Sequence, residues 1–160
     1  MIEKKINHNC LCSFLNNLRK EDYEELAVIK SFNFVDEILN VSENPINQTY
    51  FLTSDNDKPL AMGGACLIKN DEYKIAKVWL LSTSEIEFYK KDLYKYVLEK
   101  LEILKTKYDI LFNFIYKSNF SSLKWLKRAG FKVFDLDNSD YKLFYFLKGD
   151  INFDIRYFTC

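Results

Sequence analysis

Residues 110–131 read ILFNFIYKSNFSSLKWLKRAGF, and the architecture turns on this stretch. Ile110 to Tyr116 is apolar except for Asn113, with the length and the aromatic and β-branched content of a strand buried on both faces. Ser118 or Asn119 is placed to cap a short helix through Leu123, Leu126 and Ala129. Gly130 then stands where a helix ends in left-handed backbone. Phe131 to Leu136 and Tyr141 to Leu147 read as a closing pair of strands.

Upstream of that stretch, Leu93, Val97, Leu101, Leu104 and Tyr108 keep one apolar stripe, with Lys90, Lys91, Lys95, Glu99, Glu102 and Lys105 largely off it. Ser84-Glu85-Ile86-Glu87 matches a capping box, so the spacing predicts a helix of five or six turns beginning there. Strand, long helix, strand in this order requires a right-handed crossover and parallel pairing. Before it, Thr49 to Thr53, the polar turn 54–59 and Leu60 to Ile68 read as a hairpin, and Lys74 to Ser82 as a further antiparallel strand. Gly63-Gly64 marks a bulge or close packing in the third strand.

The first 48 residues are less periodic. Ile2 to Asn7 has the character of a short strand. Leu11, Leu15 and Leu18, then Tyr23, Leu26 and Ile29, recur at helical spacing with a break near Arg19 to Asp22. Phe32 to Val41 reads as another short helix, stopped by residues 42–45 because the residue before Pro45 avoids helical geometry.

Composition narrows the function. Of 160 residues, 48% are apolar and 17% aromatic, enough for a substantial core in one domain. Lys plus Arg and Asp plus Glu both number 23, so no basic excess points to nucleic acid or an anionic membrane. No apolar run approaches the roughly 20 residues of a membrane span. The opening residues do not form a signal-peptide core, and a cytoplasmic location, or packaging in something assembled there, is expected. Cys10, Cys12, Cys66 and Cys160 are expected as reduced thiols. His8, Cys10 and Cys12 lack the spacing and the second distant pair of a structural zinc site, so no metal is expected.

The string Asn119, Ser122, Leu126, Gly130-Phe131, after an apolar strand and before another, resembles the last conserved part of the GNAT (GCN5-related N-acetyltransferase) superfamily. The order of elements from Thr49 to Leu147 resembles it as well. Within the superfamily, Trp79 to Ile86, Asn113, and Trp125-Leu126 with Gly130-Phe131 are similar to small GNAT-like proteins of tailed bacteriophages, some of them internal virion proteins. The resemblance implies an α/β fold with a mixed sheet, antiparallel N-terminal strands followed by β-α-β-α-β-β. It divides the chain into N-terminal strand and helices (1–48), core sheet with two helices (49–147) and a C-terminal tail or strand (148–160).

The resemblance also implies a site. Acetyl-CoA would lie in the splay between Lys77 to Ser82 and Leu111 to Tyr116. Main chain near Leu80 and Leu81 would pair with the pantetheine arm and offer an N–H to the thioester oxygen. The diphosphate would sit on free N–H groups at the start of the long helix, around Thr83 to Glu87 with Thr83 and Ser84 foremost, and Asn119 would hydrogen-bond the pantetheine from the opposite wall, with Asn113 and Ser122 as further cofactor contacts. Tyr116 is the candidate proton donor to the departing thiolate and Glu72 the candidate base; the acceptor would be a primary amine.

Against the family pattern, residues 82–87 hold no glycine and two carboxylates, and Leu126 stands where many members carry an acidic tyrosine. The alternative is therefore a non-catalytic GNAT-fold protein serving as a virion-associated structural or assembly component. Asn113 reads either as a strand residue bonding neighbouring backbone or as a ligand contact, and Asn119 as a cap alone or a cap with a cofactor contact. Trp79 and Trp125 read as core or interface aromatics. The tail from Asn152 to Cys160 is too apolar to be left in solvent, and suggests a strand that completes a sheet or a surface for self-association or virion partners.

Overall fold

The computed structural model describes residues 1–29, 40, 43, 44 and 46–159. The expected helix from Phe32 to Val41, and its stop at Pro45, lie outside the described residues apart from isolated positions. The strands are β1 (Ile2–Lys4), β2 (Gln48–Thr53), β3 (Pro59–Asn70), β4 (Lys74–Ser82), β5 (Ile110–Tyr116), β6 (Lys132–Asp135) and β7 (Tyr141–Leu147). The α-helices are α1 (His8–Leu15), α2 (Lys20–Ile29), α3 (Lys90–Lys107) and α4 (Phe120–Arg128), with 3₁₀ turns at Ser84–Tyr89 and Ile155–Thr159. The strands hydrogen-bond in the order β1-β2-β3-β4-β5-β7-β6. β4 and β5 are parallel, as the crossover through α3 requires. This is the α/β mixed sheet expected from the sequence.

The chain forms two compact units, Met1–Cys66 with Val78–Glu99, and Leu67–Lys77 with Lys100–Cys160. In the first, strand alternation divides the side chains between two faces, with the irregularity at Leu52/Thr53 leaving adjacent Leu60 and Ala61 in one cluster. Phe51, Met62 and Leu81 meet Leu11 and Phe14 of α1, whereas Leu52, Leu60 and Ala61 meet Ile86, Tyr89, Leu93 and Tyr96. Trp79 packs against the α1 cluster, a core role. Gly63 and Gly64 mark close packing. A Cβ at Gly64 would stand 1.9 Å from the Gln48 carbonyl oxygen, and one at Gly63 2.7 Å from the Trp79 carbonyl oxygen. The register irregularity of this hairpin lies instead at Leu52/Thr53.

In the second unit, Ile75, Ile110, Phe112 and Leu143 form the centre. β7 pairs antiparallel with both β5 and β6, so it lies between them. Asn119 caps α4, its side-chain oxygen accepting from the Ser122 N–H at 3.2 Å, and Gly130 closes the helix at φ 89°. Leu123, Leu126, Ala129 and Phe131 bury the inner face, with Phe131 edge-on to Phe144.

Two expectations are corrected. Residues 84–87 do not form a capping box. Thr83 precedes the first turn without capping it, because its buried hydroxyl donates to the Pro59 carbonyl at 2.9 Å. Glu85 and Glu87 pair with Lys58 and Lys90 instead of reaching back. The lead-in is therefore a 3₁₀ turn, and the α-helix starts at Lys90. The tail, for its part, is not a strand. Phe153, Ile155 and Phe158 pack, partly buried, against the second unit's own core, Phe158 stacking on Phe112 at 3.9 Å, while Tyr157 stays exposed.

A pH dependence follows from the first unit. The Tyr96 hydroxyl donates to Glu3 at 2.6 Å, and burial, followed by this bond to a carboxylate, raises the phenol pKa above its ordinary 10.0. The folded state then holds a proton that the unfolded chain releases once pH passes 10. Stability from this contact is complete below pH 10 and declines as pH rises towards the folded-state value. Thermal melts from pH 8 upward should show that decline, and Tyr96→Phe should remove its Tyr96 component.

Candidate acyl-donor site

At its C-terminal end β4 enters a dense knot of hydrogen bonds within the first unit. The Thr83 N–H donates to the Leu60 carbonyl at 2.9 Å, towards β3. Ser82 faces the other way: its carbonyl accepts from the Arg19 N–H at 2.9 Å, and its own N–H donates to Asp22 Oδ2 at 2.8 Å. The Ser82 hydroxyl donates to the same carboxylate oxygen at 2.9 Å. Arg19 completes the set, Nε to Oδ2 at 3.0 Å and Nη2 to Oδ1 at 2.9 Å. Leu18 bridges Thr83, and the Ser84 N–H donates to the Asn17 carbonyl at 3.4 Å, so residues 17–19 run along the end of β4.

Four donors thus converge on one carboxylate that is 3% exposed. Burial works against the Arg19 cation, but the hydrogen bond and charge of Asp22 outweigh it, and the net pKa is raised. Sequence reasoning missed this pair. The signal was present, since Asp22 falls four residues from both Leu18 and Leu26 and so occupies an apolar-stripe position with a charge.

Backbone alternation sorts the other main-chain groups of β4. If Ser82 faces away from β3, so does Leu80, whereas Leu81 faces β3. Leu80 is also 37% exposed, and Leu81 is buried in the α1 cluster. Thr83 is buried and Ser84 exposed. The parallel register of β4 with β5 runs from Ile75↔Ile110 to Lys77↔Phe112, and β4 continues to Ser82.

The second unit places the remaining candidates. Asn113 is half-buried on β5, its Oδ1 accepting from the Phe114 N–H at 2.7 Å, the backbone bond expected of a polar residue in an apolar strand. Asn119 and Ser122 sit together at the start of α4. Tyr116, 38% exposed at the end of β5, lies edge-on to Tyr141 at 5.3 Å. Leu126 is buried and has no proton to give.

Glu72 is exposed in the bend before β4. It raises the pKa of neighbouring Tyr73, chiefly through its charge. The register puts Glu72 three positions before the Ile75↔Ile110 level and Tyr116 six beyond it. At about 3.3 Å per residue they are about 30 Å apart along the strands. The structure therefore does not bring Glu72 and Tyr116 together.

His8 Nδ1 and Cys12 Sγ are 3.6 Å apart on α1, and no group of three metal-ligating side chains occurs among the described residues. Cys10 and Cys12 are free thiols. No described helix is long and apolar enough to cross a membrane.

Solved structures supply the comparison. Superposed on a point mutant of the spermidine N-acetyltransferase SpeG from Vibrio cholerae, the chain gives a TM-score of 0.67 at 12% identity, covering 92% of this chain and 95% of that one. The ribosomal-protein-S5-alanine acetyltransferase from Vibrio fischeri gives 0.65 at 12% identity, with 94% and 98% covered. The fold is that of the GNAT N-acetyltransferases. The PaiA N-acetyltransferase from Thermoplasma acidophilum, solved in complex with coenzyme A, shares the GNAT fold with this chain at TM-score 0.64 and 18% identity, over 91% and 98%. No family model and no curated protein matches the sequence.

Proposed function

We propose that the chain transfers an acetyl group from acetyl-CoA to a primary amine on a small molecule or a protein. The observation that carries this reading is the main chain of β4 at Leu80, which in a GNAT fold faces away from β3 and follows the last register pair with β5. There the pantetheine amides extend the strand, and the Leu80 N–H donates to the thioester oxygen as it gains charge. Leu81, whose peptide faces β3 by alternation, is given no part in that contact. Asn119 and Ser122 remain proposed polar contacts for the donor, as the family resemblance implies.

The reaction forms a bond from the amine nitrogen to the acetyl carbon and breaks the carbon–sulfur bond. Tyr116 is the proposed proton donor to the departing thiolate. An unperturbed alkyl amine has a pKa of about 10.4, so the attacking nitrogen must first lose its proton, here to solvent. Glu72 is not part of this scheme, because it is about 30 Å from Tyr116 along the strands.

A second reading is a non-catalytic GNAT-fold protein, whose virion-associated structural or assembly role comes from the resemblance alone; two observations favour its non-catalytic part. The Ser82 N–H is already bound by the chain itself, and Leu126 cannot act as an acid. Incubation with acetyl-CoA and a panel of polyamines and peptide N-termini, read by mass spectrometry, separates the two. The enzyme reading predicts an acetylated amine, with a rate about 10²-fold lower in Tyr116→Phe. No acetylated product across the panel would leave the assembly reading.

A further inference from the structure

The turn after β4 is where a nucleotide diphosphate would be expected to find backbone donors. In this chain a buried carboxylate takes the Ser82 donors at the mouth of that turn. Asp22 accepts the Ser82 N–H, the Ser82 hydroxyl and two guanidinium N–H groups of Arg19, all between 2.8 and 3.0 Å. Arg19, the cation best shaped to grip a diphosphate, is thereby committed to an internal anion. The nearby Ser84 N–H is turned to Asn17, and the Thr83 N–H and hydroxyl are turned to residues 59 and 60. The two other charged side chains of this turn, Glu85 and Glu87, are negative and hold Lys58 and Lys90 in ion pairs.

We infer that Asp22 is a specificity residue: it fills the anion site itself, so the acyl donor is recognised through its pantetheine arm and not through its diphosphate. The substrate class is then acyl-pantetheine thioesters in general, with the nucleotide end contributing little to affinity. This rests on the acetyl-transfer reading above, since it concerns the same donor.

The test compares acetyl-CoA with acetyl-pantetheine, which has the thioester and both amides but no diphosphate, by calorimetry on three proteins. Wild type should bind the two donors within about threefold of each other. Asp22→Asn retains an acceptor for Ser82 but removes the charge that holds Arg19, so preference for acetyl-CoA should rise about tenfold, the gain of one charge-assisted contact. The double variant Asp22→Asn, Arg19→Gln should return the ratio to the wild-type value, which a general loosening of the fold would not do. A wild type that already prefers acetyl-CoA by more than about tenfold, with a ratio indifferent to Asp22, would overturn the inference and leave the acetyl-transfer reading intact. If none of the three proteins binds either donor, the transfer reading itself fails, and this inference with it.

Discussion

Gly64→Ala should cost the first unit at least about 3 kcal/mol and lower its melting temperature by about 10 °C. The new methyl would stand 1.9 Å from the Gln48 oxygen and 3.0 Å from the Thr49 Cα. Both obstacles are backbone, which cannot swing aside as a side chain can. Thr49 and Gly64 are register partners one pair in from the start of β2, so relief requires the two strands to part there. Typical domains have about 5–15 kcal/mol to lose, so this single methyl threatens the fold. Gly149→Ala is the control: its φ of 59° is unfavourable to alanine, but nothing lies within 4 Å. It should cost only about 1–2 kcal/mol. Circular-dichroism melts of the two variants, side by side, check the contrast.

The second large effect is expected at Asp22. Asp22→Ala leaves a half-buried guanidinium and the buried Ser82 N–H and hydroxyl without their common acceptor. Removing one partner of a buried ion pair costs about 3–5 kcal/mol, because the remaining charge is uncompensated. Asp22→Asn should cost clearly less, since its amide oxygen still accepts from Ser82. Chemical denaturation of both variants measures the difference. Equal losses would mean that the charge of Asp22 contributes nothing beyond its hydrogen bonds.

The second half of the fold was legible because each element carried its own signal. Ile110 to Tyr116 is the observed β5 to the residue, Asn119 is the observed cap, and Gly130 has the positive φ that its position demanded. The parallel pairing of β4 with β5 followed from the length of the crossover. Local signals failed where a distant partner decided the outcome. The Ser84 to Glu87 pattern is a sound cap in isolation, but the Thr83 hydroxyl bonds to Pro59, a residue 24 positions away, and the helix start moves to Lys90. The tail has strand-like composition, yet aromatic stacking of Phe158 on Phe112 bends it into a 3₁₀ turn.

The candidate site was legible only as separate residues. Nothing in the spacing said that Leu80 and Leu81 would differ in which way their peptides face, nor that Glu72 and Tyr116 would be at opposite ends of their strands. Those facts come from register and alternation. Asp22 needed both the helical stripe and the position of Ser82 to be noticed. Asp22, held by Arg19, ties down the end of β4 through Ser82.

The most direct test of the account is a calorimetric titration of acetyl-CoA into wild type and Leu80→Pro. Proline removes the one N–H assigned to the thioester oxygen, at a position whose peptide faces away from β3, so the β3 ladder bonds are kept. Wild type should bind with a dissociation constant on the order of micromolar, and Leu80→Pro, still melting cooperatively, should bind at least about tenfold more weakly. No binding by wild type at millimolar acetyl-CoA, or equal binding by both proteins, would contradict the assignment of the donor site to this edge of β4.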